Sequence, residues 1–225
     1  MKIHKTKTSI IFILIIFFIL PCLFINLPVC AEELEPIELL PPQFDRGKLL
    51  MHALKERKSI RSFSQKELPL DVLSNLLWAA AGVNRPESGL RTTPTAVNWQ
   101  EIDIYVAMKK GLYLYNPKDH RLEPVRAKDI REYTGVQEFT QIAPVNLIYV
   151  ANFSKMSGQF ANTDTKVFYS ATDTGFISQN VYLFCASEGL ATVVIGWIEK
   201  PALALAMKLR EEQKIILAQP VGYPE

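Results

Sequence analysis

Cysteine and histidine are scarce, with three of each in 225 residues. Cys22 and Cys30 lie in the apolar N-terminal stretch, which leaves Cys185 alone in the remainder. A lone cysteine excludes a disulfide framework within one chain. Cys185 falls inside an apolar helical pattern and reads as a small core residue. His52 and His120 stand far apart with no cysteine pair beside them, so the spacing of a zinc site is missing. The chain also lacks G-x-S-x-G, a P-loop and G-x-G-x-x-G. A serine-hydrolase elbow and a Rossmann dinucleotide site therefore have no support. Neither sign of charge dominates. The first 31 residues carry Lys2, Lys5 and Lys7 of the 25 basic residues and none of the 23 acidic ones; without them the balance is 22 against 23, a net charge of −1. That balance gives nucleic-acid binding no electrostatic basis.

The N-terminal stretch is built differently from the rest. After its three lysines comes an apolar run, Ile10 to Leu20, then Pro21, Cys22 and a second apolar stretch to Val29. Val29-Cys30-Ala31 puts small residues at −3 and −1 before Glu32, as signal peptidase requires. Residues 1–31 read as a secretory signal, with periplasmic or extracellular export after cleavage. The alternative is an uncleaved membrane anchor, since the stretch approaches the roughly 20 residues of a spanning helix. Pro21, Asn26 and Pro28 interrupt it, and Val29 disfavours a lipidated Cys30. No twin-arginine pair is present. The remaining 194 residues fit one domain with a single sizeable core.

Residues 32–44 are Pro-rich and read as an extended arm before a domain at 45–225. Asp45 is placed to cap a helix to about Arg57, with Leu49, Leu50, Ala53 and Leu54 as its buried stripe. Leu70 to Ala81 predicts a second helix closed by Gly82. Asn84 to Gln100 reads as a loop. Ile102–Met108 and Leu112–Tyr115 predict a hairpin about Lys110-Gly111, and Val145–Ala151 a central strand. A long helix from about Lys166 to Glu188 ends at Gly189. Ala191–Ile195 reads as a short strand, Pro201 opens a further helix, and Lys214–Val221 is the last strand. Asn116–Phe139 and Ser154–Thr165 read as variable loops. The order is α+β, with a largely antiparallel sheet.

Three segments carry candidate chemistry. Arg57-Lys58-Ser59-Ile60-Arg61-Ser62-Phe63 gathers three cations and a hydroxyl within five residues. In extended chain Arg57, Ser59 and Arg61 share a side and can hold a phosphate dianion. By spacing alone the same residues also read as a basic helix end that complements the helix dipole, and that plainer reading is the favoured one. The second segment is Thr93-Pro94-Thr95-Ala96-Val97-Asn98-Trp99-Gln100, with Arg91 just upstream. The third runs from Asp173 through Gly175, Gln179 and Asn180 to Leu183, and continues as Glu188-Gly189-Leu190 and Ile195-Gly196-Trp197.

In that order and spacing the segments resemble the nitroreductase family of flavoproteins. The likeness runs from about residue 45 to 224. The resemblance implies a homodimer that binds FMN. Arg57, Lys58 and Ser59 would hold its phosphate and ribityl chain. Arg61 would lie near N1 and O2, where a cation stabilises the charge of the reduced ring. Pro94, Thr95, Asn98 and Gln100 match a Pro-Ser-x-x-Asn-x-Gln loop that serves the flavin site across the dimer interface, with Thr95 in place of serine. The backbone at Ile195 and Gly196 would face N5. Many members continue after the last strand with a basic pair on the phosphate; here the sequence ends at Glu225. The Asn84-Arg85-Pro86 stretch is similar to the SagB-type branch of thiazole and oxazole dehydrogenases. The expected activity is ping-pong hydride transfer through N5 to or from a small organic substrate, with NAD(P)H as a candidate donor and no dedicated catalytic side chain. Two alternatives stay open. One is an exported flavin-binding or cofactor-lost protein without NAD(P)H-dependent activity; the other is an azoline-type dehydrogenase. The expected membrane contact is the N-terminal segment alone, if uncleaved, and no metal is expected.

Overall fold

The computed structural model describes residues 33–225. The secretory-signal reading concerns residues 1–31 and lies outside the described residues. Among the described residues no helix is long and apolar enough to cross a membrane.

A seven-stranded sheet organises the fold. Its strands run in the order β1 (Ile37–Glu38), β6 (Arg121–Arg126), β5 (Gly111–Asn116), β4 (Ile102–Met108), β7 (Val145–Asn152), β9 (Gln213–Gly222) and β8 (Ala191–Thr192). Every neighbouring pair is antiparallel. β7 is buried at all eight positions, because both of its faces are covered. On one face lie α2 (Leu70–Ala81) and the 26-residue α4 (Thr163–Glu188), which bring Leu76, Leu77, Ile177, Val181 and Cys185 onto Tyr149 and Leu147. On the other face α5 (Lys200–Met207) seats Leu203 and Met207 with Phe63, Ile130 and Ile195. Each fully buried leucine stabilises the fold by ~2 kcal/mol. Cys185 is one of the core residues, and burial pushes its thiol far above the ordinary range. It therefore behaves as a hydrophobe and not a nucleophile.

The arm joins the sheet. Ile37 pairs with Leu122, and Leu39 is buried. Ser74 Oγ and Asn75 Oδ1 of α2 accept from the backbone N–H groups of Leu40 and Gln43, so two polar side chains inside a helix serve the arm.

Several local expectations need correction. The first helix, α1, spans Leu50–Glu56 and does not begin at Asp45. Gly47 intervenes at φ 85°, a left-handed conformation outside the helix, and a Cβ there would collide with Ser187 Oγ. Of the expected stripe only Ala53 is buried; Leu49, Leu50 and Leu54 are exposed, as is Met51. Gly82 ends α2 in an extended and not a left-handed conformation (φ −68°, ψ 157°). Its small size is needed because a Cβ would strike the Trp78 ring. Gly189 does take the left-handed C-terminal position of α4, at φ 72°. The Asn84–Gln100 stretch contains a small hairpin, β2 (Val83–Arg85) with β3 (Leu90–Arg91), then a 3-10 turn at Ala96–Asn98. The Asn116–Phe139 stretch holds β6, which its charges concealed. Arg121, Glu123 and Arg126 break the apolar alternation, and Pro124 sits beside a register shift opposite Tyr113, where a strand tolerates proline. Within Phe139–Ile142 lies the short helix α3. The strand expected at Ala191–Ile195 stops at Thr192 and resumes as a single bridge between Ile195 and Ala218.

Candidate functional site

α1 ends where Arg57 turns to extended geometry (ψ 122°) after its N–H bonds the Ala53 carbonyl. The chain then runs beside β8, fixed by the Ile60 N–H to the Thr192 carbonyl at 3.0 Å. The alternation of extended chain sorts the side chains. Phe63 is buried, its ring 5.8 Å from that of Phe139. Arg57 and Ser59 both turn to Tyr182 of α4. The Arg57 guanidinium lies 5.2 Å from the Tyr182 ring centroid, and Ser59 Oγ is 2.9 Å from the Tyr182 hydroxyl. That hydroxyl also accepts from the Val194 N–H at 2.9 Å. One tyrosine thus ties the basic segment to Val194-Ile195-Gly196, two stretches far apart in sequence.

The cations of the basic segment, Arg57, Lys58 and Arg61, make no ion pair among the described residues, whereas Lys48 nearby is paired with Glu56. A cavity of about 540 Å³ is lined by Lys48, Lys55, Glu56, Lys58, Tyr182 and Thr192. Cations without ion-pair partners beside the Ser59 and Tyr182 hydroxyls fit a phosphate. At the neighbouring turn the two predicted backbone positions differ. Ile195 is buried, and its N–H and C=O are both spent on Ala218 at 2.7 and 3.0 Å. Gly196 is exposed, its N–H has no acceptor among the described residues, and a Cβ there would meet only Leu217, at 3.6 Å. Gly196 is therefore the backbone donor open to a ligand.

Pro94, Thr95, Asn98 and Gln100 stand elsewhere. They line a separate cavity of about 540 Å³ with Asn84, Arg85 and Arg91, and it shares no lining residue with the first. Within one chain the two motifs are not brought together. The loop itself is tightly wound. Val97, Asn98 and Gln100 have φ of 53°, 56° and 48°. Left-handed geometry at a β-branched residue is costly and persists only where the surroundings impose it. The surroundings do so here. Asp173 of α4 accepts from the Ala96 N–H at 2.9 Å, Thr95 Oγ1 from the Gln100 N–H at 3.2 Å, and the Gly89 carbonyl from Gln100 Nε2 at 3.1 Å. Trp99 Nε1 donates to the Ser157 carbonyl at 3.0 Å. Arg91 is largely enclosed, and burial lowers its basicity.

Three residues gain roles that spacing could not assign. Tyr182 had no motif to mark it. Asp173 belonged to the third segment, yet nothing in the chain indicates that it crosses to Ala96. Glu101 reads as an ordinary residue at the start of a strand and is fully buried. Asn180 of the same segment is structural, with Nδ2 on the Ala79 carbonyl at 2.9 Å.

Known proteins share this architecture. A family model described as the nitroreductase family matches residues 54–223. A crystal structure titled a nitroreductase from Ralstonia eutropha JMP134 is 45% identical, covers 84% of this chain and 90% of its own, and superposes with a TM-score of 0.80. A protein named a nitroreductase from Methanocaldococcus jannaschii is 29% identical, over 84% of this chain and 97% of its own length. The Escherichia coli microcin synthetase McbBCD complex contains a chain of like fold, with 19% identity, TM-score 0.65 and coverage of 89% and 83%. The chain belongs to the nitroreductase family of oxidoreductases.

Proposed function

We propose that this protein is an FMN-dependent oxidoreductase that works as a homodimer. The observation that carries the reading is the Tyr182 junction, which ties Arg57 and Ser59 to Val194, two residues before Gly196. Arg57, Lys58 and Ser59 would hold the FMN phosphate by charge-assisted hydrogen bonds. Arg61 would face the N1–O2 edge, and the Gly196 N–H would face N5. Bound there, FMN would supply hydride-transfer chemistry between a donor such as NAD(P)H and a small organic substrate. The residues bind and orient; solvent supplies protons, and no side chain is assigned as a general base.

Dimerisation would complete the site. Pro94, Thr95, Asn98 and Gln100 line a different cavity from Lys58 in one chain, so a second copy would supply them. The exposed apolar residues Leu49, just before α1, Leu50 and Met51 on α1, and Val167, Phe168 and Phe176 on α4 support a covered face between two copies. Export through residues 1–31 stays part of the proposal. It places the protein where NAD(P)H is scarce, and so makes the electron donor the question that kinetics must answer. Purified protein should be yellow with a flavin spectrum, and reducible by NADH or NADPH. Flavin bound but reduced by neither would favour the azoline-type dehydrogenase or the flavin-binding alternative. A colourless protein that cannot be loaded with FMN would sink the proposal.

A further inference from the structure

The loop that carries Pro94, Thr95, Asn98 and Gln100 rests on two acids. Glu101 follows it at the head of β4 and is fully buried; Asp173 is 1% exposed. Asp173 is committed to the loop through the Ala96 N–H at 2.9 Å. No other residue among the described residues donates to either Glu101 oxygen, and the carboxyl of Asp173 faces them. Two carboxylates have no donor between them, and side by side without water they repel. With one proton between them they become a donor and an acceptor.

We propose that Glu101 is a positioning residue that shares one proton with Asp173 and thereby holds the Pro94–Gln100 loop in its left-handed conformation. The proton sits on Glu101, so Asp173 keeps its charge for the Ala96 N–H. Loss of that proton leaves two buried charges in contact and pushes Asp173, with Ala96, away from β4. The three residues at positive φ then lose the restraint that offsets their strain.

The charged neighbours do not replace the proton. Lys155, which follows β7, gives its ammonium to Asp103 Oδ1 at 2.6 Å and lies 3.4 Å from the Gln100 carbonyl. Arg91 on β3 acts on Glu101 at a distance, but its Nε and both Glu101 oxygens are without hydrogen-bond partners, so no direct bond joins them. Asp103 on β4 adds negative charge to the same region. Burial first, and the Asp173 charge with it, raises the Glu101 carboxyl to about 7; burial likewise raises Asp173. The loop would therefore be held in acid and released through neutrality.

This inference rests on the FMN reading only for its consequence, so the test begins without flavin. Trp99 lies in the loop, its indole on the Ser157 carbonyl and its ring centroid 6.1 Å from that of Tyr169. The full chain is labelled with 5-fluorotryptophan, and the Trp99 fluorine resonance is assigned with Trp99→Phe. It is then followed from acid to alkaline pH in the wild type and in Glu101→Gln, whose amide N–H stands in for the shared proton. The expected result is a shift with a midpoint near 7 in the wild type, absent in Glu101→Gln, which keeps the low-pH position throughout. An unmoving wild-type resonance, or the same transition in Glu101→Gln, overturns the proposal. Should that variant not fold, the carbon-13 carboxyl shift of Glu101 in the wild type decides the matter. A midpoint near 7 supports the shared proton, and one near the ordinary 4.5 refutes it. With flavin added, FMN affinity should fall by about tenfold across the same transition, as loss of a single positioning interaction would give. A Trp99 transition in a protein that binds no FMN at any pH would refute the cofactor reading and leave the shared proton standing.

Discussion

The Tyr182 hydroxyl lies 2.9 Å from Ser59 Oγ and holds the Val194 N–H at the same distance. Tyr182→Phe keeps the ring under Arg57 and removes only these two bonds. A hydrogen bond of this kind contributes about 1 kcal/mol net, so stability should fall by ~1–2 kcal/mol in urea unfolding. FMN affinity should fall roughly tenfold, since Ser59 and the Gly196 turn lose their common anchor. A variant with wild-type affinity would remove Tyr182 from the site.

The pH dependence of stability follows from Glu101. Its carboxyl titrates at about 7 in the folded protein against 4.5 ordinarily. A raised acid is stabilising while protonated, so its contribution is complete below 4.5 and is lost as pH rises through about 7. Across that window stability should drop by up to ~1.4 kcal/mol per pH unit from this group. Glu101→Gln should flatten that slope and be the more stable protein above neutrality, as denaturant titrations at a series of pH values would show. Parallel curves for the two proteins would contradict the assignment.

The apolar face of α1 gives a test of assembly. Leu50 is 62% exposed in one chain and Met51 72%. Leu50→Glu with Met51→Lys should leave the fold intact and convert a dimer into monomers in analytical ultracentrifugation. FMN affinity should fall with it if, as proposed, the partner's Pro94–Gln100 loop completes the site. A double variant that remains dimeric moves the interface elsewhere.

Cys185 should be silent. It is 1% exposed, and its thiol is held protonated by burial. Thiol reagents should label the described domain only at the rate of global unfolding. Fast labelling at neutral pH would show that α4 opens over the sheet.

Much of this was readable in advance, for reasons that can be named. β7 and α4 announce themselves through an unbroken apolar run and a long periodic stretch closed by Gly189, and both lie close to where they were expected. The segment Arg57–Phe63 was legible as a cluster of cations, but its meaning depended on Tyr182, which reaches it from 123 residues away. The apolar stripe of α1 is exposed: periodicity marks an apolar face and not what covers it. β6 escaped because its hydrogen bonds, and not its side chains, place it in the sheet. Glu101 gave no signal. A carboxyl is usually solvated, and only the fold brings Asp173 against it.

The central claim is that Arg57, Lys58 and Ser59 hold the FMN phosphate. Titration of the flavin-free protein with FMN, followed by flavin fluorescence, tests it directly when Arg57→Ala with Ser59→Ala is compared with the wild type. Loss of two charge-assisted bonds of about 1.5–3 kcal/mol each should weaken FMN binding by at least about a hundredfold. Riboflavin, which keeps the ribityl chain and lacks the phosphate, should lose much less affinity than FMN. Equal FMN affinity in the two proteins would contradict the account and return the Arg57–Phe63 segment to a solvated helix end.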